Sequence, residues 1–438
     1  MKFKKNILGT IFWRGIYFVT VLLMNIIIAR YFKAAGSGWI YYVTNYFSFI
    51  ILLGSFSLES GMTFFASSNT ISRNKLAIFA LLWSAIVSLI IILLLFVYYK
   101  QPEAAAGRPQ FIFFAGTYAS GILLTTFFSA LFNAEQDYTL PNQLLTVTNI
   151  LLILAVPVVA SFSNTADAPV VFLNCYFFNF LLQGIVLSIV YIRRNRVFAQ
   201  HSLPGTTELQ QLFRYASFAL LANVVFFLLY RIDYWFVKNN CQVCNEGDLG
   251  NYIQVSKLGQ LFLVLPGMMA AIIFPRTAAG FNKEISIMLP VLCRVMFSIY
   301  SILIVLFALT GQFLFPLVYG ATFDHMYIPF LLLVPGILGL SSLGFISAYY
   351  AGKNKVIVNL TGTSLALAVV ITGDILFIPH FGINAAAFIS SVAYLTCYFY
   401  ILLRYKKEYN VPVKDFFIPG GADFKKVYFY VVQQFEGS

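Results

Sequence analysis

Two opposite charges lie two residues apart within an otherwise apolar stretch, residues 213–238. The stretch could cross a bilayer, because a spanning helix needs about 20 apolar residues. Charges inside such a helix are costly and usually functional. On a helix, residues two apart point about 200° away from each other, so Arg231 and Asp233 cannot fully satisfy one another. Each therefore needs a partner on another helix, in a water-filled cavity or at the membrane surface.

Further cations lie within or at the edge of apolar stretches, namely Arg14, Arg30, Lys257 and Arg294. A planar guanidinium binds phosphate through paired hydrogen bonds, so an arginine facing a cavity is a candidate anion-binding group. Lys257 has polar neighbours from Gln254 to Gln260, which predicts a wet face on its helix. The alternative for the four arginines is that they reach the lipid headgroups from a position near a span end.

Carboxylates inside apolar stretches are the second candidate group. Asp233 is one, and Glu59 follows Gly54, Ser55 and Ser57 near the end of another stretch. A carboxylate buried in a membrane can exchange a proton or hold a cation. The alternative for Glu59 is a structural ion pair. Asp374 lies close to the end of its own stretch, where exposure at the interface is expected.

Composition places the chain in a membrane. It is 60% hydrophobic, 18% aromatic and 10% charged, whereas soluble domains have about 25% charged and about 45–50% apolar residues. This composition excludes a soluble enzyme. A net charge of +12 would suggest a nucleic-acid partner in a soluble chain. Here the location of the charges relative to the membrane explains it better, and we expect no nucleic-acid binding.

About twelve apolar segments follow one another with short connections. Their predicted bounds are 7–32, 39–63, 76–98, 110–132, 143–161, 170–192, 212–237, 250–274, 286–310, 327–350, 356–378 and 383–403. We therefore predict an all-α polytopic membrane protein with about 12 transmembrane helices. No cleavage site follows the basic start of the chain, so the first segment is expected to be a permanent span.

The distribution of lysine and arginine predicts the orientation. With the N-terminus in the cytoplasm, 19 of these residues fall on the cytoplasmic side, 5 in outer loops and 4 within spans. Cytoplasmic loops carry an excess of lysine and arginine. The bias predicts that both termini are cytoplasmic, which also requires an even number of spans.

The two halves of the chain show weak similarity. When segment 1 is aligned with segment 7, Arg14 matches Arg214 and Asn25 approaches Asn223. A repeated six-helix half would return the chain to the same side, and transporters commonly bind substrate between such halves. We predict an N-terminal lobe at 1–192, a cytoplasmic linker at 193–211, a C-terminal lobe at 212–404 and a cytoplasmic tail at 405–438.

Several short phrases occur in order along these segments: GSFSLESG at 54–61, YRID at 230–233, LGNY at 249–252, IFPR at 273–276, VYG at 318–320, YIP at 327–329, LVPG at 333–336, AGKNK at 351–355 and FGINAAA at 381–387. Through this ordered set the chain resembles the polysaccharide flippases of the Wzx type. These belong to the multidrug/oligosaccharidyl-lipid/polysaccharide exporter superfamily. The resemblance covers nearly the whole length. One departure is the segment 239–248, which is longer than expected.

The resemblance implies two six-helix lobes around a central cavity. It implies that undecaprenyl-diphosphate-linked oligosaccharide, such as an O-antigen or capsule repeat unit, moves from the inner to the outer leaflet of the bacterial cytoplasmic membrane. In that setting the substrate's pyrophosphate and glycan would bind Arg14, Arg30, Arg231, Lys257 and Arg294. Glu59 and Asp233 would couple transport to an ion gradient. The sequence does not show whether that ion is H+ or Na+, or whether transport is coupled to an ion at all. Membrane lipids and other polysaccharide-assembly membrane proteins would be partners.

Other functions compete with this one. Related exporters include flippases for peptidoglycan precursors or teichoic acid and cation-coupled drug antiporters. More cations than carboxylates within the spans favours an anionic lipid head over a drug. A membrane-embedded glycan polymerase or ligase needs a sizeable outer loop, and the longest outer connections have about a dozen residues. We expect no enzyme activity, no catalytic residue and no cofactor.

Five cysteines are too few for a disulfide framework. Cys241 and Cys244 lie in a predicted outer loop without a second pair or a histidine cluster, so a metal site is not expected. A local disulfide could form in an oxidising compartment. Two ordinary thiols are the favoured interpretation.

Overall fold

The structure is a computed structural model that describes residues 2–98, 109–162, 167–199, 202–278, 280–418 and 420–425. These residues form helices joined by short turns, and no β-strand occurs among them. Ten of the described helices are long and apolar enough to cross a membrane. Helices suit such runs because hydrocarbon offers no partner for backbone groups, so each must be satisfied within its own segment. The expectation of an all-α polytopic membrane protein is confirmed.

Twelve α-helices follow one another in the described residues, with three short 3₁₀ segments between or after them. The helices are α1 Lys2–Ser55, α2 Leu58–Ser67, α3 Arg73–Tyr98, α4 Pro109–Ala134, α5 Thr139–Phe162, α6 Ala168–Asn195, α7 Thr206–Asn240, α8 Asp248–Leu261, α9 Val264–Ala278, α10 Asn282–Tyr319, α11 Tyr327–Gly352 and α12 Val356–Tyr409. The 3₁₀ segments are Val197–Ala199, Ala321–Met326 and Val413–Phe416.

Helices α1 and α12 are each 54 residues long. At a rise of 1.5 Å per residue that is about 81 Å, far more than the roughly 30 Å of a bilayer's hydrocarbon core. Both break at one residue with left-handed φ, Lys33 (φ 58°) in α1 and Gly382 (φ 58°) in α12. Helix α12 therefore contains two of the predicted apolar segments, one on either side of its break. Helix α1 contains the first predicted segment and the larger part of the second, which continues into α2.

The chain divides into two compact units. Unit 1 consists of Met1–Phe32 and Trp39–Val224, and unit 2 consists of Lys33–Gly38 and Val225–Ser438. The first part of α7 belongs to unit 1 because its side chains pack on α2 and α3. Phe213 lies 5.3 Å from Trp83 between ring centroids, and Tyr215 stacks on Phe64 at 5.0 Å.

The segment Lys33–Gly38, at the break in α1, packs on α8 within unit 2. A Cβ added to Gly250 would collide with the Ala34 backbone, and one added to Gly38 would lie 2.7 Å from the Gly250 nitrogen. The Ala34 amide also donates to the Thr322 hydroxyl at 3.1 Å. The two backbones approach this closely because both positions are glycine.

In unit 1, helices α4 and α6 meet backbone to backbone. A Cβ added to Gly184 would lie 2.6 Å from the Gly121 carbonyl oxygen, and one added to Gly121 would overlap the peptide that joins Phe180 to Leu181. Small residues let membrane helices approach in this way, and dispersion between the close surfaces stabilises the pair.

We predict that Gly121→Ala destabilises the protein. The added methyl group would meet backbone atoms, which cannot rotate away, and overpacking typically costs about 1–3 kcal/mol. The apparent melting temperature of the purified protein should fall. Gly15→Ala is the matched control, since its Cβ would meet nothing within 4 Å. If both variants had the melting temperature of the wild type, the close contact of α4 and α6 would be refuted.

Candidate functional site

Asp233 of α7 is buried in unit 2 among hydroxyl groups. Its carboxylate is 1% exposed. One oxygen accepts a hydrogen bond from the Tyr234 amide at 2.9 Å. The other accepts from the Tyr252 hydroxyl of α8 and from the Ser390 hydroxyl of α12, the latter at 3.3 Å. Three elements of the fold therefore position this carboxylate.

A second carboxylate, Asp374 of α12, interacts electrostatically with Asp233. It is 0% exposed, and neither of its oxygens has a hydrogen-bond partner among the described residues. The expectation that Asp374 lies exposed at the interface was wrong. The break at Gly382 turns the second half of α12 back on the first, so that Ile389 packs against Gly373 and covers the neighbouring carboxylate.

Two buried carboxylates that interact with one another cannot both remain charged without compensation, because burial of an unpaired charge is very costly. A proton or a bound cation would provide it. Carboxylate and hydroxyl oxygens are the ligands that hard cations prefer. Among the described residues there is no group of three or more His, Cys, Asp or Glu that could hold a metal ion. The carboxylate and hydroxyl oxygens around Asp233 can take a proton or a hard cation.

Arg231 lies two residues before Asp233 on α7, and it interacts electrostatically with Lys257 of α8. Its guanidinium donates to the Gln260 side-chain oxygen at 3.1 Å and to the Tyr234 hydroxyl at 3.4 Å. Both cations are half-buried. No carboxylate in the described part of the chain lies within ion-pair distance of Arg231. The N–H donors of these two side chains on neighbouring helices suit an anionic ligand.

The structure therefore brings together Arg231, Asp233 and Lys257 from the predicted set. Arg294 lies elsewhere in unit 2, where its guanidinium pairs with Asp423 at 2.9 Å and donates to the Asp415 carbonyl oxygen at 3.0 Å. The remaining three predicted residues belong to unit 1, where the Arg14 and Arg30 side chains are exposed and Glu59 is half-buried.

Glu59 lies in the first turn of α2, just after a break at Phe56 and Ser57, both with φ 52°. Its Oε2 is buried and has no hydrogen-bond partner in the described part of the chain. The carboxylate lines a cavity of about 440 Å³ within unit 1. A negative charge in the first turn of a helix is favoured by the backbone dipoles.

Cys241 and Cys244 form a disulfide, so the expectation of two ordinary thiols was wrong. The disulfide-bonded turn lies on the break in α12. A Cβ at Gly382 would lie 3.3 Å from the Cys244 sulfur, and the Gln242 amide donates to the Pro379 carbonyl oxygen at 3.3 Å. The longer segment noted in the sequence therefore packs against the bend that buries Asp374.

Asp374 is the residue that sequence reasoning missed. Its hydropathy context was ambiguous, because an acidic residue near a segment end can face water. The signal that could have found it is the glycine before it, which marks a close helix approach rather than an exposed end.

Comparisons with known proteins show the fold. No protein-family model matches the chain, and no curated protein matches it in sequence. Among solved structures, it is similar to the lipid II flippase MurJ in an inward closed conformation. The TM-score is 0.71, with 14% identity over 93% of this chain and 88% of that one.

Two further similar structures are transporters. A mutant of the Vibrio cholerae MATE transporter VcmN gives a TM-score of 0.62, with 15% identity over 93% of this chain and 99% of that one. A MOP-superfamily transporter from Pyrococcus furiosus gives 0.64, with 15% identity over 92% and 96%. The chain has the multi-pass membrane fold that these proteins share.

Proposed function

We propose that this protein is a flippase for undecaprenyl-diphosphate-linked oligosaccharide, and that it moves its substrate from the inner to the outer leaflet of a bacterial cytoplasmic membrane. The observation that carries the proposal is the half-buried pair Arg231 and Lys257, held beside a buried carboxylate site. A lipid II flippase shares the fold, which supports a lipid-borne cargo. Both termini are cytoplasmic in this proposal, as the lysine and arginine distribution predicts.

The physical problem is to carry a diphosphate across about 30 Å of hydrocarbon. A bare phosphate would be prohibitively costly there. A half-buried arginine and lysine replace part of its hydration with charge-assisted hydrogen bonds, while the lipid tail stays in the bilayer. Arg14 and Arg30 stay in the proposal as exposed cations for the substrate head. Arg294 would first have to exchange Asp423 for the substrate.

Alternating access needs an energy input that differs between the two states. We assign it to Asp233 and Asp374, which bind H+ or Na+ when they are buried as seen here. Release of the ion would leave the carboxylates charged and favour a state in which water reaches them. Glu59, the other predicted coupling carboxylate, lies in unit 1, where it lines a cavity.

The main alternative is a related exporter. The similarity to a MATE transporter and the buried carboxylates favour a cation-coupled drug antiporter, and the similarity to MurJ allows a flippase for peptidoglycan precursor or teichoic acid. A membrane-embedded glycan polymerase or ligase is not favoured, because the similar structures named above are transporters.

Purified protein in proteoliposomes tests these functions directly. Vesicles would carry a fluorescent undecaprenyl-diphosphate-linked oligosaccharide in one arm and ethidium in another, with imposed H+ or Na+ gradients in each. We expect the lipid-linked glycan to become accessible to an external lectin much faster than in empty vesicles. Gradient-driven ethidium movement without glycan movement would reject the proposal and support the antiporter.

A further inference from the structure

The proposed function assigns no ligand to the cavity that Glu59 lines in unit 1. Its volume is about 440 Å³. That is many times the roughly 30 Å³ that one water molecule occupies in the liquid, and it lies within the roughly 300–1,000 Å³ range of small-molecule sites. A bare ion would leave most of it empty. The cavity therefore suits a small organic group.

Three residues that line the cavity, Glu59, Thr125 and Gln183, each have one buried polar atom without a hydrogen-bond partner among the described residues: Oε2, Oγ1 and Nε2, respectively. Gln183 is 1% exposed, so its amide cannot turn to bulk water. Buried polar atoms in folded proteins are nearly always hydrogen-bonded. These three come from α2, α4 and α6, which places one acceptor, one donor and one hydroxyl around the same space.

The charge of the lining distinguishes ligand classes. It contains the Glu59 carboxylate and no lysine or arginine among the described residues that form it. A phosphate or carboxylate ligand would meet only repulsion from that charge. A neutral polyol would not, because hydroxyl groups donate well to a carboxylate and accept well from an amide.

The remaining walls fit a sugar ring. Thr63, Ser129 and Asn133 add polar groups, and Tyr17 and Phe180 add aromatic surface. A pyranose has hydroxyls on its rim and apolar C–H groups on its faces. Mixed polar and aromatic walls are the usual construction of a site for such an amphipathic molecule.

We propose that this cavity binds one neutral sugar ring of the cargo, with Glu59 accepting hydrogen bonds from two neighbouring hydroxyls and the Gln183 amide donating to a third oxygen. The inference rests on the proposed function, since it takes the cargo to carry a glycan. It assigns one sugar of the cargo to the cavity of unit 1.

Saturation-transfer NMR on the full-length protein in nanodiscs tests this assignment. The probes are methyl α-D-glucopyranoside, methyl α-D-galactopyranoside and methyl N-acetyl-β-D-glucosaminide, with sodium glucuronate as the anionic comparison. At least one neutral glycoside should show saturable transfer above empty nanodiscs, and glucuronate should show several-fold less. Gln183→Leu and Glu59→Gln should each reduce the neutral signal at least fivefold.

Gln211→Leu is the matched control, because Gln211 lies in unit 1 with an exposed side chain outside the cavity lining. It should bind as the wild type does. If Gln183→Leu fails to fold, Thr125→Val removes a lining hydroxyl with little change of volume and serves instead. No signal from any neutral glycoside, or equal signals in wild type and both cavity variants, would overturn the inference.

Two further outcomes separate the inference from the function on which it rests. If lipid-linked glycan flips but no monosaccharide binds, the sugar site is rejected and the flippase function is still supported. Glycoside binding without flipping would reject the flippase function and support the sugar site. If Glu59→Gln abolished the dependence of transport on an ion gradient and left glycoside binding intact, Glu59 would be a coupling residue and the sugar assignment would be overturned.

Discussion

Asp374→Asn is expected to abolish ion-driven transport and at the same time to raise the melting temperature of the protein. Asn has nearly the same shape as Asp, so packing under the bend of α12 is kept. The substitution removes a buried carboxylate whose oxygens have no partner among the described residues. Stability should rise, because sites built for function often carry such uncompensated groups. Transport should fall by about a hundredfold or more, since a coupling energy of 3 kcal/mol corresponds to about 150-fold.

Proteoliposome transport with and without an ion gradient, together with thermal melting in detergent, measures both effects. Asp233→Asn should show the same loss of transport with a smaller gain in stability, because Asp233 already accepts three hydrogen bonds. Asp324→Asn is the matched control, since Asp324 is exposed. Gradient-driven transport at the wild-type rate in Asp374→Asn would remove the carboxylate pair from the mechanism.

Arg231→Ala is expected to reduce transport of the lipid-linked glycan by about 10- to 150-fold. That range corresponds to losing one charged hydrogen bond, worth about 1.5–3 kcal/mol. Arg231→Lys should recover part of the rate, because lysine keeps the charge and loses the planar fork that grips a diphosphate. Insertion and folding should be retained, since Arg231 makes no ion pair with a described carboxylate.

Transport rates in proteoliposomes of matched protein content measure this effect. Arg214→Ala controls for charge removal from the same helix, because Arg214 lies on α7 with an exposed side chain. It should transport as the wild type does. Unchanged transport by Arg231→Ala, or an equal loss in both variants, would argue against a specific anion site at Arg231.

The class of protein could be read from sequence because it depends on composition and run length. Apolar runs of about 20 residues with few charges are spanning helices almost irrespective of what they pack against. Ten of the twelve predicted segments accordingly lie within single observed helices, and the other two, 39–63 and 250–274, each cross a short break between two helices. What hydropathy did not predict is where helices bend, as at Lys33 and Gly382, because a positive φ is set by contacts on both sides of a residue.

Part of the candidate site was also visible in the chain. Arg231, Asp233 and Lys257 could be singled out because a charge in an apolar run carries a large solvation cost wherever the helix lies. Their grouping could not be predicted, since Lys257 is 26 residues beyond Arg231 and interacts with it only through the packing of α7 and α8 within unit 2. Arg294 is the opposite case. The sequence singled it out as a cation within a span, but Asp423 of the distant C-terminal segment pairs with it and offsets its solvation cost.

The sequence by itself determined the all-helical membrane fold and the set of charges that need an explanation. The tertiary structure decided which of those charges share a site, that Asp374 is buried beside Asp233, and that Cys241 and Cys244 close a turn over the bend in α12. The physical reason is that solvent preference belongs to each residue and its near neighbours along the chain. Pairing, burial and compensation of charge depend on side chains that are distant in sequence and meet only when the helices pack.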